Sequence, residues 1–161
     1  MKILLNLAPK GAPWTRPSKI LALCIKEALE ALILANRLYL RLHHVPPLYE
    51  SGIRYEEEPA GQPYEDFSCI PVVISRGWGD CDDVVAWRIA ELRQAGENAK
   101  VRLKWQPDLV RGARMYHVLV RRGPQAGVGP DGKGIVEDPS LLLGMGNHAY
   151  ARQLRNGRMT P

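Results

Sequence analysis

The chain has 161 residues, of which 45% are hydrophobic and 24% are charged. These fractions are ordinary for a soluble globular protein, and the length suits a single domain with its own core, so we expect one domain over 1–161. The formal net charge of +5 would be compatible with a nucleic-acid partner. However, the basic residues are scattered and no aromatic–basic recognition motif is present, so the sequence does not favour nucleic-acid binding.

The three cysteines, Cys24, Cys69 and Cys81, form neither a Cys-x-x-Cys pair nor an even set. This pattern predicts free thiols in a reducing compartment. The opening segment 1–7 is apolar, but it is too short for a signal peptide and is soon followed by Pro9. It predicts one short strand or an extended arm.

The strongest helical pattern in the chain covers residues 18–43. Its polar side chains recur on one narrow stripe, and nearly every other position is apolar; the stripe holds Lys19, Lys26, Glu30, Arg37 and Arg41. A helix of this kind is buried on most sides or pairs with another copy, so a core helix and a homo-oligomer or partner helix both remain open. Charged residues at 26, 27 and 30 interrupt the apolar run and disfavour a membrane span.

The helix ends at His43 and His44, which suit a helix C-terminus, and two prolines follow at once. The proline-rich stretch 45–65 predicts an extended strap with a short strand near 53–55. Residues 66–75 predict a short helix or a strand, and we favour the helix.

A glycine loop then delivers a cysteine to the start of the next helix. Residues 77–83 read Gly-Trp-Gly-Asp-Cys-Asp-Asp, and a helical pattern runs from about Cys81 to Gln94 before Gly96. Asp80 is a good N-cap, and Asp83 resembles the returning half of a capping box. The helix N-terminus stabilises a thiolate, whereas the neighbouring acids disfavour one. We therefore expect a cationic partner for the thiol, most simply a histidine.

Three further segments, 99–105, 115–122 and 134–138, predict strands, with a glycine-rich hairpin loop over 123–134. Of the four histidines, only His117 lies inside a predicted strand. Strand alternation places His117, Leu119 and Arg121 on one face and the residues at 116, 118 and 120 on the other.

If strands 115–122 and 134–138 pair as a hairpin, a carboxylate lies beside the imidazole of His117. We favour Asp138 over Glu137 because Asp138 stands at the strand end next to Pro139. A nucleophilic Cys81, a base His117 and an orienting Asp138 would form a catalytic triad. The tail 144–161 is basic, lacks an apolar period and is predicted to be a mobile arm.

These elements carry a resemblance. Four segments stand out together: Gly79 to Asp83, residues 91–101 (Glu-Leu-Arg-Gln-Ala-Gly-Glu-Asn-Ala-Lys-Val), Tyr-His-Val at 116–118, and Val-Glu-Asp-Pro-Ser at 136–140. In this order they resemble the core of the transglutaminase-like superfamily. The resemblance covers about residues 65–143. Together with Pro-Pro-Leu-Tyr at 46–49 and Arg-Tyr-Glu at 54–56, the chain also looks like small members encoded by tailed phages and prophages.

The resemblance implies an α+β, papain-like fold whose nucleophile helix packs on a small antiparallel sheet. It implies acyl transfer by Cys81, His117 and Asp138, without a cofactor. The backbone N–H of Cys81 is the candidate oxyanion donor. Ser75 and Trp78 are weak candidates for a second donor, and Trp78 is also a candidate wall of the acyl site. Because acidic residues flank Cys81, we expect amide or peptide hydrolysis, with protein cross-linking as an alternative.

The expected substrate is a protein or peptide, in the cytoplasm of an infected bacterial host or on a virion. A second hypothesis is a non-catalytic structural or adaptor protein of phage assembly, which the long helix and the basic tail motivate. A third is binding of a hard cation by Asp80, Asp82 and Asp83. We expect no metal because carboxylates in one helical turn should point in diverging directions.

Overall fold

The computed structural model describes residues 2–5, 19–58, 64–108, 113–123 and 134–145. These residues form an α+β fold, as expected from the sequence. The helices are α1 (Lys19–Leu42), α2 (Ile70–Arg76), α3 (Cys81–Gln94) and α4 (Pro139–Leu142), and a single 3-10 turn covers Leu48–Glu50. The strands are β1 (Lys2–Leu5), β2 (Arg54–Tyr55), β3 (Glu65–Ser68), β4 (Trp78–Gly79), β5 (Ala99–Asp108), β6 (Ala113–Arg122) and β7 (Ile135–Glu137).

The largest sheet among the described residues has the order β5-β6-β7 and is antiparallel throughout. The predicted pairing of 115–122 with 134–138 is confirmed, with Val120 opposite Glu137. Two smaller pairs accompany this sheet: β1 lies antiparallel to β3, and β2 lies parallel to β4. The short β2 falls within the predicted strand near 53–55.

The core forms where α1 and α3 pack on each other and on one face of β6. Val118 and Val120 contribute to it, so the predicted alternation along β6 is confirmed. Arg93 of α3 donates to both carboxylate oxygens of Glu30 on α1, at 2.6 and 2.9 Å. A second cluster gathers Trp87 with the 3-10 turn and α2. Helix α3, which begins at Cys81, is thus central to the core.

Only one face of α1 is buried. That face holds Leu21, Ile25, Leu29, Leu32, Ile33 and Asn36, whereas Ile20, Leu23, Leu34, Leu38 and Leu42 are exposed. Helix α1 thus belongs to the core, but burial on most of its sides is wrong for the described residues because it packs along one side only, while pairing with another copy stays a prediction. No helix in the described part of the chain is long and apolar enough to cross a membrane.

The segment 66–75 contains both of the structures that the sequence left open. Strand β3 ends at Ser68, and α2 begins at Ile70 with Pro71 in its first turn, where a proline needs no N–H acceptor. After α4, residues 146–161 lie outside the described residues, as do 124–133 of the predicted hairpin loop. The expected mobile tail therefore stays a prediction.

A buried asparagine joins α1 to the start of α2. Asn36 is fully buried, and its Oδ1 accepts the backbone N–H of Ile70 at 2.9 Å. We predict that Asn36→Ala lowers the free energy of unfolding by about 1–3 kcal/mol, because the Ile70 N–H is left without its acceptor. Urea denaturation measures the change. Lys26→Ala, an exposed change on the same helix, is the control, and an equal effect of the two substitutions would contradict the assignment.

Candidate active site at the start of α3

Two glycines shape the loop that leads to Cys81. Gly77 ends α2 with φ 76°, in the left-handed region that glycine adopts without strain. A Cβ at Gly79 would be tightly packed, 3.1 Å from Val84 Cγ1 and 3.2 Å from Asp83 Cβ. The loop can therefore press against the first turn of α3, which Cys81 begins.

The acids flanking Cys81 are held by donors from three different elements. Asp80 is the N-cap and accepts the Asp83 N–H at 3.4 Å. Asp83 accepts the Ser68 N–H from β3 at 2.7 Å and forms an ion pair with Arg76 of α2. The prediction that the Asp83 carboxylate bonds back to the cap residue, as in a capping box, is therefore wrong. Its oxygens instead bind neighbouring elements, where the Arg76 guanidinium offsets its charge.

Asp82 is the least compensated of these acids. It is 1% exposed, its Oδ2 accepts the Tyr116 hydroxyl at 3.3 Å, and no donor among the described residues reaches its Oδ1. Burial raises the pKa of Asp82 well above its usual range, and the charges of Asp80 and Asp83 raise it further.

The three carboxylates converge. One oxygen from each of Asp80, Asp82 and Asp83 lies within 4.8 Å of the others, so our expectation that they diverge is wrong. The N-cap residue precedes the helix and folds back over its first turn, which brings its oxygen to the other two. Together these oxygens could serve as ligands for Ca²⁺ or Mg²⁺.

Cys81 is a half-buried residue whose sulfur lies against β6, where the backbone N–H of Val118 donates to it. Burial raises the pKa of this thiol well above its ordinary value, and Asp80 and Asp82 add to the rise. The bond from Val118 only partly offsets them. The resting thiol is therefore neutral, and the helix N-terminus alone does not produce a thiolate.

His117, the residue before Val118, is joined to Asp138. The distance from His117 Nε2 to Asp138 Oδ2 is 2.8 Å, and the imidazole is 5% exposed. The other oxygen of Asp138 caps α4 by accepting the Leu141 N–H at 3.3 Å. Asp138 is thus fixed from two sides, and the imidazole nitrogen that remains for proton exchange is Nδ1.

Glu137, the alternative carboxylate, belongs to a different network. It binds Arg88 of α3 at 2.6 Å, receives the Tyr49 hydroxyl and lies 3.6 Å from Arg122. Successive strand residues point to opposite faces of a sheet, which separates the Glu137 carboxylate from that of Asp138.

The structure brings His117 and Asp138 together, and Cys81 contacts the same strand at Val118, the residue next to His117. The pairing of β7 with β6 stops at Val120, and the Val118 N–H two residues earlier binds the Cys81 sulfur. Within the part of the chain that the structure describes, no hydrogen bond links the thiol directly to the His117 imidazole. Catalytic contacts of this kind are often looser in free enzymes than in their complexes.

Sequence reasoning missed Arg76 and Tyr116. The Arg76 guanidinium stacks over the Trp78 ring at 3.8 Å and its Nε donates to the Trp78 carbonyl at 2.8 Å, in addition to pairing with Asp83. Tyr116 could have been found by alternation along β6, because it shares the face of Val118. Trp78 is partly buried in this stack, and Ser75 is exposed on α2.

Comparisons with family models, with curated proteins and with solved structures give no match to this chain.

The uncompensated charge of Asp82 makes stability depend on pH. Because its pKa is raised in the folded state, the folded chain holds this proton more tightly than the unfolded chain. The free energy of unfolding therefore falls as the pH rises above about 4, the pKa of an aspartate in an unfolded chain. We predict that Asp82→Asn raises the free energy of unfolding at pH 8 by roughly 1 kcal/mol or more. The gain should shrink towards pH 4.

Denaturation midpoints across this pH range measure the effect, with Glu50→Gln on the surface as the control. A loss of stability that is the same at pH 8 and pH 5 would contradict the charge assignment.

Proposed function

We propose that this chain is a cysteine-dependent acyl-transfer enzyme, an amide or peptide hydrolase with a papain-like, transglutaminase-like core. The observation that carries the proposal is the 2.8 Å contact between His117 and Asp138, on the strand whose Val118 N–H donates to the Cys81 sulfur. A carboxylate that orients an imidazole, together with a thiol at the start of a helix, is the set of groups on which nucleophile activation depends.

The reaction would proceed in two halves. His117 Nδ1 takes the thiol proton as the Cys81 sulfur attacks the carbonyl carbon, and Asp138 stabilises the imidazolium that forms. The first-turn N–H of Cys81, which has no acceptor within the helix, faces the developing oxyanion. The imidazolium then protonates the leaving amine, a thioester remains, and a water activated by the same imidazole hydrolyses it.

The raised pKa of the thiol favours proton transfer during attack over a preformed thiolate–imidazolium pair. In this mechanism the acids beside Cys81 keep the resting sulfur neutral. His117 is therefore essential for every turnover. If an amine replaces water in the second half, the same machinery performs cross-linking.

We predict that Cys81→Ala and His117→Ala abolish hydrolysis of a casein-type protein substrate or a peptide library. Asp138→Asn should lower kcat/KM by about 10³-fold or more, because the amide no longer stabilises the imidazolium. Cys24→Ala, at an exposed position on α1, should leave the rate unchanged. Full activity of the Cys81→Ala chain would contradict the proposal.

The thiol can also be tested without a substrate. Iodoacetamide should label Cys81 faster than Cys24 or Cys69 despite its raised pKa, because His117 can accept the proton as the carbon–sulfur bond forms. His117→Asn should slow labelling of Cys81 and leave Cys24 unaffected, as read by peptide mass spectrometry. Equal labelling of all three thiols in the unsubstituted chain would count against the mechanism.

A second candidate function is a non-catalytic structural or adaptor protein of phage assembly. It is favoured by the exposed apolar stripe of α1, which we define as Ile20, Leu23, Leu34, Leu38 and Leu42, all more than half exposed. Exposed apolar residues aligned on one helix face are typical of an interaction surface.

In this case, we predict that Leu34→Lys together with Leu38→Lys abolishes self-association or partner binding without unfolding the chain, because neither side chain is buried. Analytical ultracentrifugation measures the assembly state. Lys26→Ala is the control on the same helix. A monomer before and after the double substitution would remove the self-association form of this candidate.

A further inference from the structure

A cavity lies at the end of α3 that is opposite to Cys81. It has a volume of about 330 Å³, and its lining comes from α1, from the turn that follows α3 and from the start of β5. Three cationic side chains contribute to this lining: Arg37 of α1, Arg93 of α3 and Lys100 of β5. Helix α3 has 14 residues and is therefore about 20 Å long, so the cavity is separate from the thiol site.

The turn between α3 and β5 holds the wall of this cavity in place. Gly96 has φ 84°, the left-handed conformation with which many helices end. The Glu97 N–H donates to the Leu92 carbonyl at 2.8 Å, and the Gly123 N–H donates to the Asn98 carbonyl at 2.6 Å. The wall is thus fixed by backbone hydrogen bonds, and the cavity is formed before any ligand enters it, as is usual for small-molecule sites.

Two of the charged side chains around the cavity are already paired. Arg93 binds both carboxylate oxygens of Glu30 through its terminal nitrogens, and its Nε donates to the Ala99 carbonyl at 2.8 Å. Glu97, which also lines the cavity, accepts two bonds from Arg122, at 2.9 and 2.5 Å. These pairs shape the cavity but contribute little net charge to it.

Arg37 and Lys100 keep their positive charges uncompensated. Neither side chain forms an ion pair or a hydrogen bond with a residue in the described ranges. The Nε of Arg37 is buried without an acceptor, so this guanidinium has lost part of its hydration and gained no partner in exchange. Such a group gains more from an anion at its terminal nitrogens than a fully hydrated one would. Lys100 is exposed, so its ammonium can meet a ligand from the open side of the cavity.

We infer that this cavity binds a phosphate group, held by Arg37 and Lys100. A phosphomonoester carries a charge of about −2 at neutral pH, which matches the two unpaired cations. A guanidinium donates two parallel bonds to phosphate oxygens, and an ammonium adds a contact as a point charge. The exposed amide of Asn98 is a neutral donor at the same cavity. The volume also leaves room for the group that carries the phosphate, either a small metabolite or a phosphorylated side chain.

Titration calorimetry of the intact chain with inorganic phosphate tests this inference. We expect saturable binding at one site, which weakens as sodium chloride is added. Arg37→Gln and Lys100→Gln should each raise the Kd about ten-fold or more, because each removes a charge-assisted contact. Lys100→Gln keeps the test decisive if Arg37→Gln does not fold, since Lys100 is an exposed residue.

The matched controls remove the same charges from positions outside the cavity. Arg41→Gln lies one turn after Arg37 on α1, and Lys104→Gln lies on the same face of β5 as Lys100. Both control residues are exposed, and neither lines the cavity. Each control should leave the Kd for phosphate nearly unchanged, whereas a change of overall charge alone would affect all four variants equally.

Two further probes distinguish the sources of the phosphate group. If a phosphoserine peptide binds more tightly than glycerol 3-phosphate, the cavity takes a phosphorylated protein segment; otherwise it takes a small phosphorylated molecule. The same peptide without its phosphate, and acetate, should not compete with either probe.

Three results would overturn the inference: no saturable phosphate binding, acetate binding as tight as that of phosphate, or an equal loss of binding in the control variants. The inference does not rest on the hydrolase proposed above. Cys81→Ala should bind phosphate as the unsubstituted chain does, so each proposal can fail while the other stands.

Discussion

Burial of the acid-rich first turn of α3 is the constraint on which the site depends. A buried carboxylate without partners is costly, so each acid has to meet a donor or keep its proton. Asp83 meets Arg76 and the Ser68 N–H, and Asp82 meets the Tyr116 hydroxyl. These donors come from α2, β3 and β6, so satisfying the acids also locks those elements around the helix that carries the thiol.

A second set of contacts ties the loop before Cys81 to the helix whose N-cap, Asp138, binds His117. In the strap, the Tyr55 N–H donates to the carbonyl of Leu143, just after α4, and the next N–H donates to Gly79. Asp138 caps α4 and binds His117 with its two oxygens. The loop before Cys81 and the segment after α4 are therefore both tied to the strap by backbone hydrogen bonds.

Much of this fold could be read from local sequence patterns. The N-cap Asp80, the alternation along β6 and the strand end before Pro139 are local signals that the structure confirms, whereas helix α4, which begins at Pro139, was not predicted. The contact of His117 with Asp138 followed from one assumption, that β6 and β7 pair as a hairpin.

What the sequence did not predict depends on contacts between distant residues. The partner of Asp83 is Arg76 rather than its own cap, because α2 folds back over the start of α3. Similarly, the exposed side of α1 could not be separated from its buried side, since both are apolar and only the packing of α3 distinguishes them. The convergence of Asp80 with Asp82 likewise depends on how the loop enters the helix.

The central claim is that the Cys81 sulfur lies within reach of the His117 imidazole. A short bifunctional alkylating reagent tests this claim most directly. A dihalogenated acetone reacts first with the thiol and then with a nitrogen within its reach, and peptide mass spectrometry identifies the bridged pair. The account predicts a bridge from Cys81 to His117 that is lost in His117→Asn. Single alkylation of Cys81 with no bridge to His117, in a folded chain, would contradict it.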